Sequence, residues 1–305
     1  MAKARGTARD EGQIAGGESL PGEQARRAVL ADVPVTERSL GLAGIATSVL
    51  EAGAGLPVVL LHGPMGNASH WMRVIPELAE TRRVIVPDLP GHGASEAGGP
   101  DQLDVARVLK WLAELIAQTC ERPPVLVGQT LGGAIAASFA GEKSDMLTGL
   151  VLVDTLGLRP FEPEPEFGRA LSHFLAQPDE RTHTDLWRHC AFDLDSLRQR
   201  MGDRWRSFEA YNLDRAREPG ARESAGKMME LFGMPAIVSK DLASISVPTS
   251  LIWGRHDKAT PLSVAEHASV RFGWPLHVIE DCNDDPPIEQ PEALLRALGL
   301  ALGRP

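Results

Sequence analysis

The sequence is short of cysteine, of aromatic side chains and of positive charge. Its three cysteines, Cys120, Cys190 and Cys282, are spread over 305 residues. They form no CxxC pair and are too few for a disulfide framework, so we expect reduced thiols and a cytoplasmic protein. Lysine and arginine number 31 against 41 acidic residues. A net charge of −10 argues against nucleic acid or an anionic membrane surface as a partner, because both require a basic face.

Further absences exclude other classes of protein. Residues 123–141 are uncharged, but prolines and glycines interrupt them, so we interpret them as a strand, a turn and a helix rather than a membrane span. No G-x-G-x-x-G follows the first buried strand, no P-loop is present, and His and Cys do not cluster at zinc spacing. We therefore expect no cofactor and no metal. Residues 1–28 lack periodicity and are predicted to be disordered.

From about residue 31, apolar runs suited to buried strands alternate with segments of helical spacing. The strand runs lie at 56–61, 84–87, 125–128, 150–154, 249–254 and 276–280, and the helical segments lie at 68–80, 101–118, 131–141, 263–272 and 291–301. Strands buried on both faces and alternating with helices predict an α/β fold with a mostly parallel, doubly wound sheet. Residues 159–244 differ, because they contain no convincing strand and hold nine of the fifteen aromatic residues. They are interpreted as helices that form either a core of their own, a lid over an apolar pocket, or both.

The most specific motif is residues 125–133, VLVGQTLGG. It resembles the nucleophile elbow, G-x-S-x-G, of the α/β-hydrolase family, with Gly128 and Gly132 on either side of Thr130. Further segments resemble family loops in the expected order: LHG at 61–63, DLPGHGAS at 88–95, WGRHD at 253–257 and EDCNDDP at 280–286. The resemblance extends from about residue 31 to 301 and is nearest to the cap-bearing esterases and carbon–carbon-bond hydrolases. It implies a hydrolase core at 29–158 and 245–305, and a helical cap at 159–244.

The catalytic positions depart from the family pattern. Thr130 stands where the family has serine, and Asp284 stands where it has histidine. In the oxyanion hole, which the resemblance assigns to Leu131, Pro64 and Met65, Pro64 has no N–H to donate. The acid, Asp257, is retained. An altered triad of Thr130, Asp257 and Asp284 is therefore predicted.

A carboxylate is an effective general base only when its pKa is raised toward neutrality. Asp257, Asp284 and Asp285 are expected to converge, and like charges in a partly dry pocket raise the pKa of one carboxyl. His62, Trp71 and Gln129 are candidate pocket residues. For each of them the residue type and position favour a packing or structural role, with substrate contact as the alternative.

Three functions fit these observations. The first is a hydrolase of a small apolar ester, lactone or carbon–carbon bond. The second is a lyase, cyclase or isomerase that uses carboxylates as acid and base. The third is a small-molecule-binding protein without catalysis. In each case the partner is a small apolar molecule, and the sequence leaves the choice between monomer and homo-oligomer open.

Overall fold

Residues 22–96 and 100–302 are described by the structure, a computed structural model. Eight strands form one sheet: β1 (Thr36–Leu42), β2 (Ile45–Ala52), β3 (Leu56–Leu61), β4 (Arg82–Pro87), β5 (Val125–Gln129), β6 (Gly149–Val153), β7 (Thr249–Gly254) and β8 (Leu276–Ile279). Their order is β1-β2-β4-β3-β5-β6-β7-β8. The pairs β1–β2 and β2–β4 are antiparallel, and all other pairs are parallel. The predicted mostly parallel α/β sheet is confirmed.

The helices are α1 (Gly22–Leu30), α2 (Ile75–Leu78), α3 (Val105–Thr119), α4 (Leu131–Lys143), α5 (Pro165–Ala176), α6 (Glu180–Cys190), α7 (Leu194–Met201), α8 (Asp203–Arg217), α9 (Pro219–Met228), α10 (Ser239–Ala243), α11 (Ser263–Phe272), α12 (Pro286–Glu289) and α13 (Pro291–Ala301). One apolar core contains side chains of α3, α4 and α11, and a second contains side chains of α7, α8 and α13. Both cores include strand residues, because the Val- and Leu-rich strands are apolar on both faces.

The register of the parallel strands brings distant residues to one edge of the sheet. Leu61 at the end of β3 pairs with Gly128 in β5, and Gly128 pairs with Leu152 in β6. On the other side of β6, Val153 pairs with Ile252 in β7. The residues that follow these strands are therefore neighbours, and ligands of open α/β sheets bind at this carboxyl edge.

Between β6 and β7 the chain forms α5 to α10, which we call the inserted helices, together with a π-helical turn at Met229–Gly233. Residues of α5, α6 and α8 share a small core that includes Phe167, Phe174 and Leu213. Trp187, Trp205 and other side chains of the insertion join the second core instead. The bulky residues of this segment thus serve both a core of their own and the contact with the sheet domain.

Two expectations about local structure are wrong. Residues 22–28 were expected to be disordered, but they belong to α1, whose Arg26 is buried. Arg26 pairs with Asp88 at 3.0 Å and with Glu37 at 2.8 Å, and it donates to the Tyr211 hydroxyl at 3.2 Å. These long-range partners stabilise a helix that its own sequence pattern does not predict. The rest of the predicted disordered segment, residues 1–21, lies outside the described residues.

The second error concerns residues 68–80, which were predicted as one helix. They form a 3₁₀ turn at Ala68–Trp71 and the short α2. Asn67 caps the 3₁₀ turn by accepting a hydrogen bond from Ser69 N at 3.0 Å. This tighter turn alters which side chains face the site.

Candidate active site

Thr130 lies in the turn between β5 and α4, at the carboxyl edge of the sheet. Its backbone has φ 45° and ψ −108°, a conformation that a β-branched residue rarely adopts. Hydrogen bonds hold it there, since Thr130 N donates to Val153 O at 2.9 Å and Ala134 N donates to Thr130 O at 3.1 Å. A Cβ at Gly132 would collide with the backbone at the end of β3. The glycines of the motif therefore permit the sharp turn that carries Thr130.

The Thr130 hydroxyl is buried and has no hydrogen-bond partner among the described residues. Leaving a buried hydroxyl unpaired costs free energy. Because Thr130 lines a cavity, a molecule bound there can supply the missing hydrogen-bond partner.

Gly63 packs against this hydroxyl so closely that a Cβ at position 63 would overlap Thr130 Oγ1, while lying 3.7 Å from Thr130 Cβ. We expect Gly63→Ala to lower the free energy of unfolding by about 1–3 kcal/mol, the usual cost of overpacking. The double variant Gly63→Ala/Thr130→Ala should recover most of that loss, because the remaining contact is an ordinary one. Urea denaturation of the four proteins measures the coupling. Equal losses in Gly63→Ala and in the double variant would show that the two groups do not touch.

Carboxyl groups gather beside Thr130, at the carboxyl ends of three parallel strands. One follows β6, one follows β7, and three belong to the loop and short helix after β8. All are buried except Asp284, which is half-buried because it faces the cavity. The five residues are Asp154, Asp257, Asp284, Asp285 and Glu289.

Asp257 and Asp154 are each held through one carboxyl oxygen. Asp257 Oδ1 accepts hydrogen bonds from the amides of Ala259 and Thr260, each at 2.7 Å. Asp154 Oδ1 accepts one from Gly254 N at 2.7 Å. The other oxygen of each acid is buried without a hydrogen-bond partner among the described residues. Burial and the charge of Asp257 raise the pKa of Asp154, which favours its protonated form.

Gln129 ties the loop after β8 to the turn at Thr130. Its Nε2 donates to Asp284 O at 3.0 Å and to Asp285 Oδ1 at 3.1 Å. Both Asp284 and Cys190 of α6 line the cavity, and Asp284 Oδ1 is buried without a hydrogen-bond partner among the described residues. Asp284 is therefore held through its backbone oxygen by the turn at Thr130, with one carboxyl oxygen free to exchange a proton.

Burial raises the pKa of every carboxyl in this cluster. Loss of water is the largest cause, and neighbouring negative charge adds to it for four of them. The pKa of Asp284 reaches about 8, through burial and then Glu289. Burial raises the pKa of Glu289 to about 7, against the opposing effect of amide donors. The charge of Asp284 adds to burial in raising the pKa of Asp257 and Asp285.

Thr130, Gln129, Asp284 and Asp285 line one side of a cavity of about 400 Å³. The opposite wall comes mainly from the inserted helices and is mostly apolar. Its apolar side chains include Phe167, Leu171, Phe174, Leu175, Leu186, Trp187, Ala225 and Met229. Size and lining are typical of a site for a small apolar molecule with few polar anchors.

Of the predicted site residues, Thr130 and Asp284 line the cavity, whereas Asp257 does not. Asp257 lies outside the cavity lining, and the charge of Asp284 adds to burial in raising its pKa. Pro64 and Met65 line the cavity in the turn after β3, and Met65 has φ 56°. Leu131 is the first residue of α4, a position where the helix supplies no partner for the amide.

Among the three candidate pocket residues, Gln129 lines the cavity, whereas His62 and Trp71 do not, so these two are structural rather than pocket residues. His62 Nδ1 donates to Gly63 O at 2.8 Å and its Nε2 accepts from Leu89 N at 3.0 Å, so the ring braces two loops. Burial lowers its pKa well below the usual value. Trp71 is fully buried in the second core. The 3₁₀ turn directs the preceding residue, His70, toward the cavity instead.

Several residues of this site are not predicted from the sequence. Asp154 could have been noticed, because an acid that directly follows a buried strand lies at the ligand-binding edge. His70, His183, Cys190 and Arg222 line the cavity, yet no local pattern distinguishes them from other polar residues on helices.

Neither a metal site nor a membrane-spanning helix is found in the described part of the chain. Within residues 22–96 and 100–302, no three His, Cys, Asp or Glu side chains are grouped so that they could hold a metal ion. None of the helices in these ranges combines the length and apolar character that crossing a bilayer requires.

Comparisons with known proteins agree with this architecture. A family model described as the alpha/beta hydrolase family matches residues 58–297. The 2-hydroxy-6-oxo-2,4-heptadienoate hydrolase of Pseudomonas putida is 29% identical over 272 residues, which cover 83% of this chain and 91% of that enzyme. The 2-hydroxymuconate semialdehyde hydrolase of a Pseudomonas species is 27% identical, over 76% of this chain and 81% of its own.

Among solved structures, the 2-hydroxy-6-oxo-6-phenylhexa-2,4-dienoate hydrolase from a Rhodococcus species superimposes with a TM-score of 0.75 at 25% identity. The match covers 88% of this chain and 99% of that one. The sheet order and the turn at Thr130 agree with the family model, which matches most of the chain. This protein therefore belongs to the α/β-hydrolase family, among relatives that are hydrolases.

Proposed function

We propose that the protein hydrolyses a small, largely apolar substrate at a carbon–carbon or ester bond, with Asp284 in the role that histidine has in the family. The observation that carries this proposal is the Asp284 carboxyl. It lines the cavity together with Thr130, keeps one buried oxygen without a partner, and has a pKa raised to about 8. An acid/base group is most effective when its pKa lies near the working pH.

In this mechanism the Thr130 hydroxyl attacks the substrate carbonyl while Asp284 takes its proton. The resulting oxyanion is stabilised by backbone amides, for which Leu131 and Met65 are the candidates, since Pro64 lacks an N–H. Asp284 then returns the proton to the leaving group, and water releases the product from Thr130. Burial and the neighbouring Glu289 keep the pKa of this base high.

The substrate class follows from the cavity and from the relatives. The relatives act, by their names, on conjugated oxo-dienoates and a semialdehyde, which combine an extended carbon chain with an anionic group. Here the cavity is apolar, and Arg222 lines it with no hydrogen-bond or ion-pair partner for its side chain among the described residues. A carboxylate-bearing conjugated ketone fits both features.

The test is turnover of 2-hydroxy-6-oxo-2,4-heptadienoate, followed by loss of its absorbance, with p-nitrophenyl butyrate as an ester alternative. We expect wild-type protein to turn over one of them, and Thr130→Ala to lower kcat/KM by at least about 10²-fold. Thr148→Ala, a change at an exposed threonine, is the matched control and should leave the rate unchanged. Turnover of neither substrate above the Thr130→Ala level would contradict the proposal.

A second function is favoured by one observation, the presence of Asp284 and Asp285 together on the cavity wall with raised pKa values. Two such carboxyls can move a proton between carbon atoms as an isomerase or lyase does, without a covalent intermediate. The Thr130→Ala variant separates the two functions. Full activity in that variant, with loss in Asp284→Asn, would indicate the non-covalent reaction.

A further inference from the structure

His183 belongs to α6, within the inserted helices, and lines the cavity although it follows no catalytic motif. It is 1% exposed. Its Nδ1 lies 3.0 Å from Glu209 Oε1 of α8, and Glu209 is also 3.6 Å from the Arg198 guanidinium. The imidazole is therefore fixed in place by a carboxylate that is itself paired with a cation.

The pairing determines which ring nitrogen carries the proton. A carboxylate can only accept a hydrogen bond, so His183 Nδ1 must donate. Burial lowers the pKa of His183, partly offset by the hydrogen bond to Glu209, so the ring is neutral near pH 7. Nε2 then holds a lone pair, and it is buried with no partner among the described residues. Such an acceptor calls for a donor from a bound molecule.

Aromatic rings surround this acceptor. The ring centroids of Phe174, Trp187 and Trp205 lie 5.7, 6.0 and 6.1 Å from that of His183. Phe174 and Trp187 also line the cavity, and aromatic walls favour a planar, unsaturated ligand over a flexible aliphatic one. Asn212 lines the same cavity and is hydrogen-bonded to Asn67, the cap of the turn that carries His70.

We propose that His183 forms a recognition subsite in which its Nε2 accepts a hydrogen bond from the hydroxyl group, phenolic or enolic, of a planar unsaturated substrate. The subsite lies in the inserted helices, whereas the reacting groups lie on the sheet domain. The inference deepens the proposed function and rests on it, because it names the substrate class for the same cavity. Glu209 is the positioning residue, since it fixes the ring tautomer.

The experiment measures binding, independently of turnover. Isothermal titration calorimetry of the full chain compares 2-naphthol with 2-methoxynaphthalene, which keeps the rings but cannot donate. We expect wild-type protein to bind 2-naphthol about tenfold more tightly, the ratio that one net hydrogen bond provides. His183→Phe should bind both equally, because phenylalanine keeps the ring and loses the acceptor. His173→Phe, on an exposed face of α5, should retain the wild-type preference.

His183→Gln serves as a second variant, because its amide oxygen can replace Nε2 as an acceptor and should restore part of the preference. Equal affinities in wild-type protein, or a tenfold preference that survives in His183→Phe, would overturn the subsite. The binding test of the subsite can succeed or fail independently of the turnover test of the proposed function. A naphthol preference without turnover of any substrate supports the subsite and contradicts the hydrolase mechanism, and turnover without the preference does the reverse.

Discussion

Replacing Asp284 by Asn should lower kcat/KM by about 10²–10⁴-fold, the range that a positioned general base contributes. Asn has nearly the same shape and keeps the backbone oxygen that Gln129 binds, so the loop should stay in place. What is lost is the group that takes and returns the proton. Stopped-flow or steady-state assays with the substrate identified above measure this loss.

The raised pKa of Asp284 also predicts the direction in which kcat/KM changes with pH. With a pKa of about 8, Asp284 is mostly protonated at pH 7 and cannot act as a base in that form. For the wild-type protein kcat/KM should therefore rise about tenfold per pH unit below pH 8 and level off above it. Asp281→Asn is the matched control, because Asp281 is exposed on the same loop and its φ of 51° suits asparagine. A profile that is flat from pH 6 to 9, or equal losses in both variants, would contradict the role of Asp284.

The stability of the protein should fall as pH rises above about 6.5. The carboxyls of the cluster have raised pKa values in the folded state. Their contribution to stability is complete below the unfolded value of about 4 and is lost as pH rises from there through the folded-state values. Each proton kept by the folded chain and not by the unfolded chain changes the free energy of unfolding by about 1.4 kcal/mol per pH unit.

Buried histidines have the opposite effect on stability at acidic pH, where they make it rise with pH. Burial lowers the pKa of His62, His70, His92 and His183, that of His70 to about 4. Their contribution is complete above the unfolded value of about 6.5 and is lost as pH falls below it. Between about pH 4 and 6.5 the two groups change the stability in opposite directions, and above 6.5 only the carboxyls change it. The decline above that pH is due to the carboxyls.

Urea denaturation between pH 6.5 and 9 measures this decline. Asp284→Asn should reduce the slope by about one proton and make the protein more stable than wild type at pH 8.5, because a buried charge is removed. The exposed control Asp281→Asn should follow the wild-type curve. If stability instead increases from pH 6.5 to 9, or if Asp284→Asn destabilises at pH 8.5, the carboxyls of the cluster are ionised in the folded protein at lower pH than proposed here.

The sequence predicts the sheet and the turn at Thr130 because both depend on local signals. The apolar strands are continuous in sequence, and Gly128 and Gly132 are required where the chain turns against the end of β3. By contrast, α1 depends on the contact of Arg26 with Asp88, which joins residues far apart in the chain. No pattern within residues 22–30 contains that information.

The site is predictable to the same extent. Thr130 and Asp284 follow from the motif, whereas His70 was missed by one residue, because the 3₁₀ turn capped by Asn67 replaces the predicted helix. His183 acquires its role from Glu209, 26 residues away on another helix. Asp154 becomes part of the cluster only through the neighbouring strand β7, whose Gly254 amide holds it. Such pairings arise from tertiary contacts, which spacing in the sequence does not specify.

Titration of the Asp284 carboxyl itself is the direct test of its place in the mechanism. Protein labelled with ¹³C at the aspartate carboxyl carbon allows each side chain to be followed by NMR from pH 4 to 10, and the signal missing in Asp284→Asn identifies residue 284. A midpoint near 8 is the result expected for a carboxyl that replaces the family's histidine as acid and base. A midpoint at about 4, the value of an ordinary aspartate, would contradict that role.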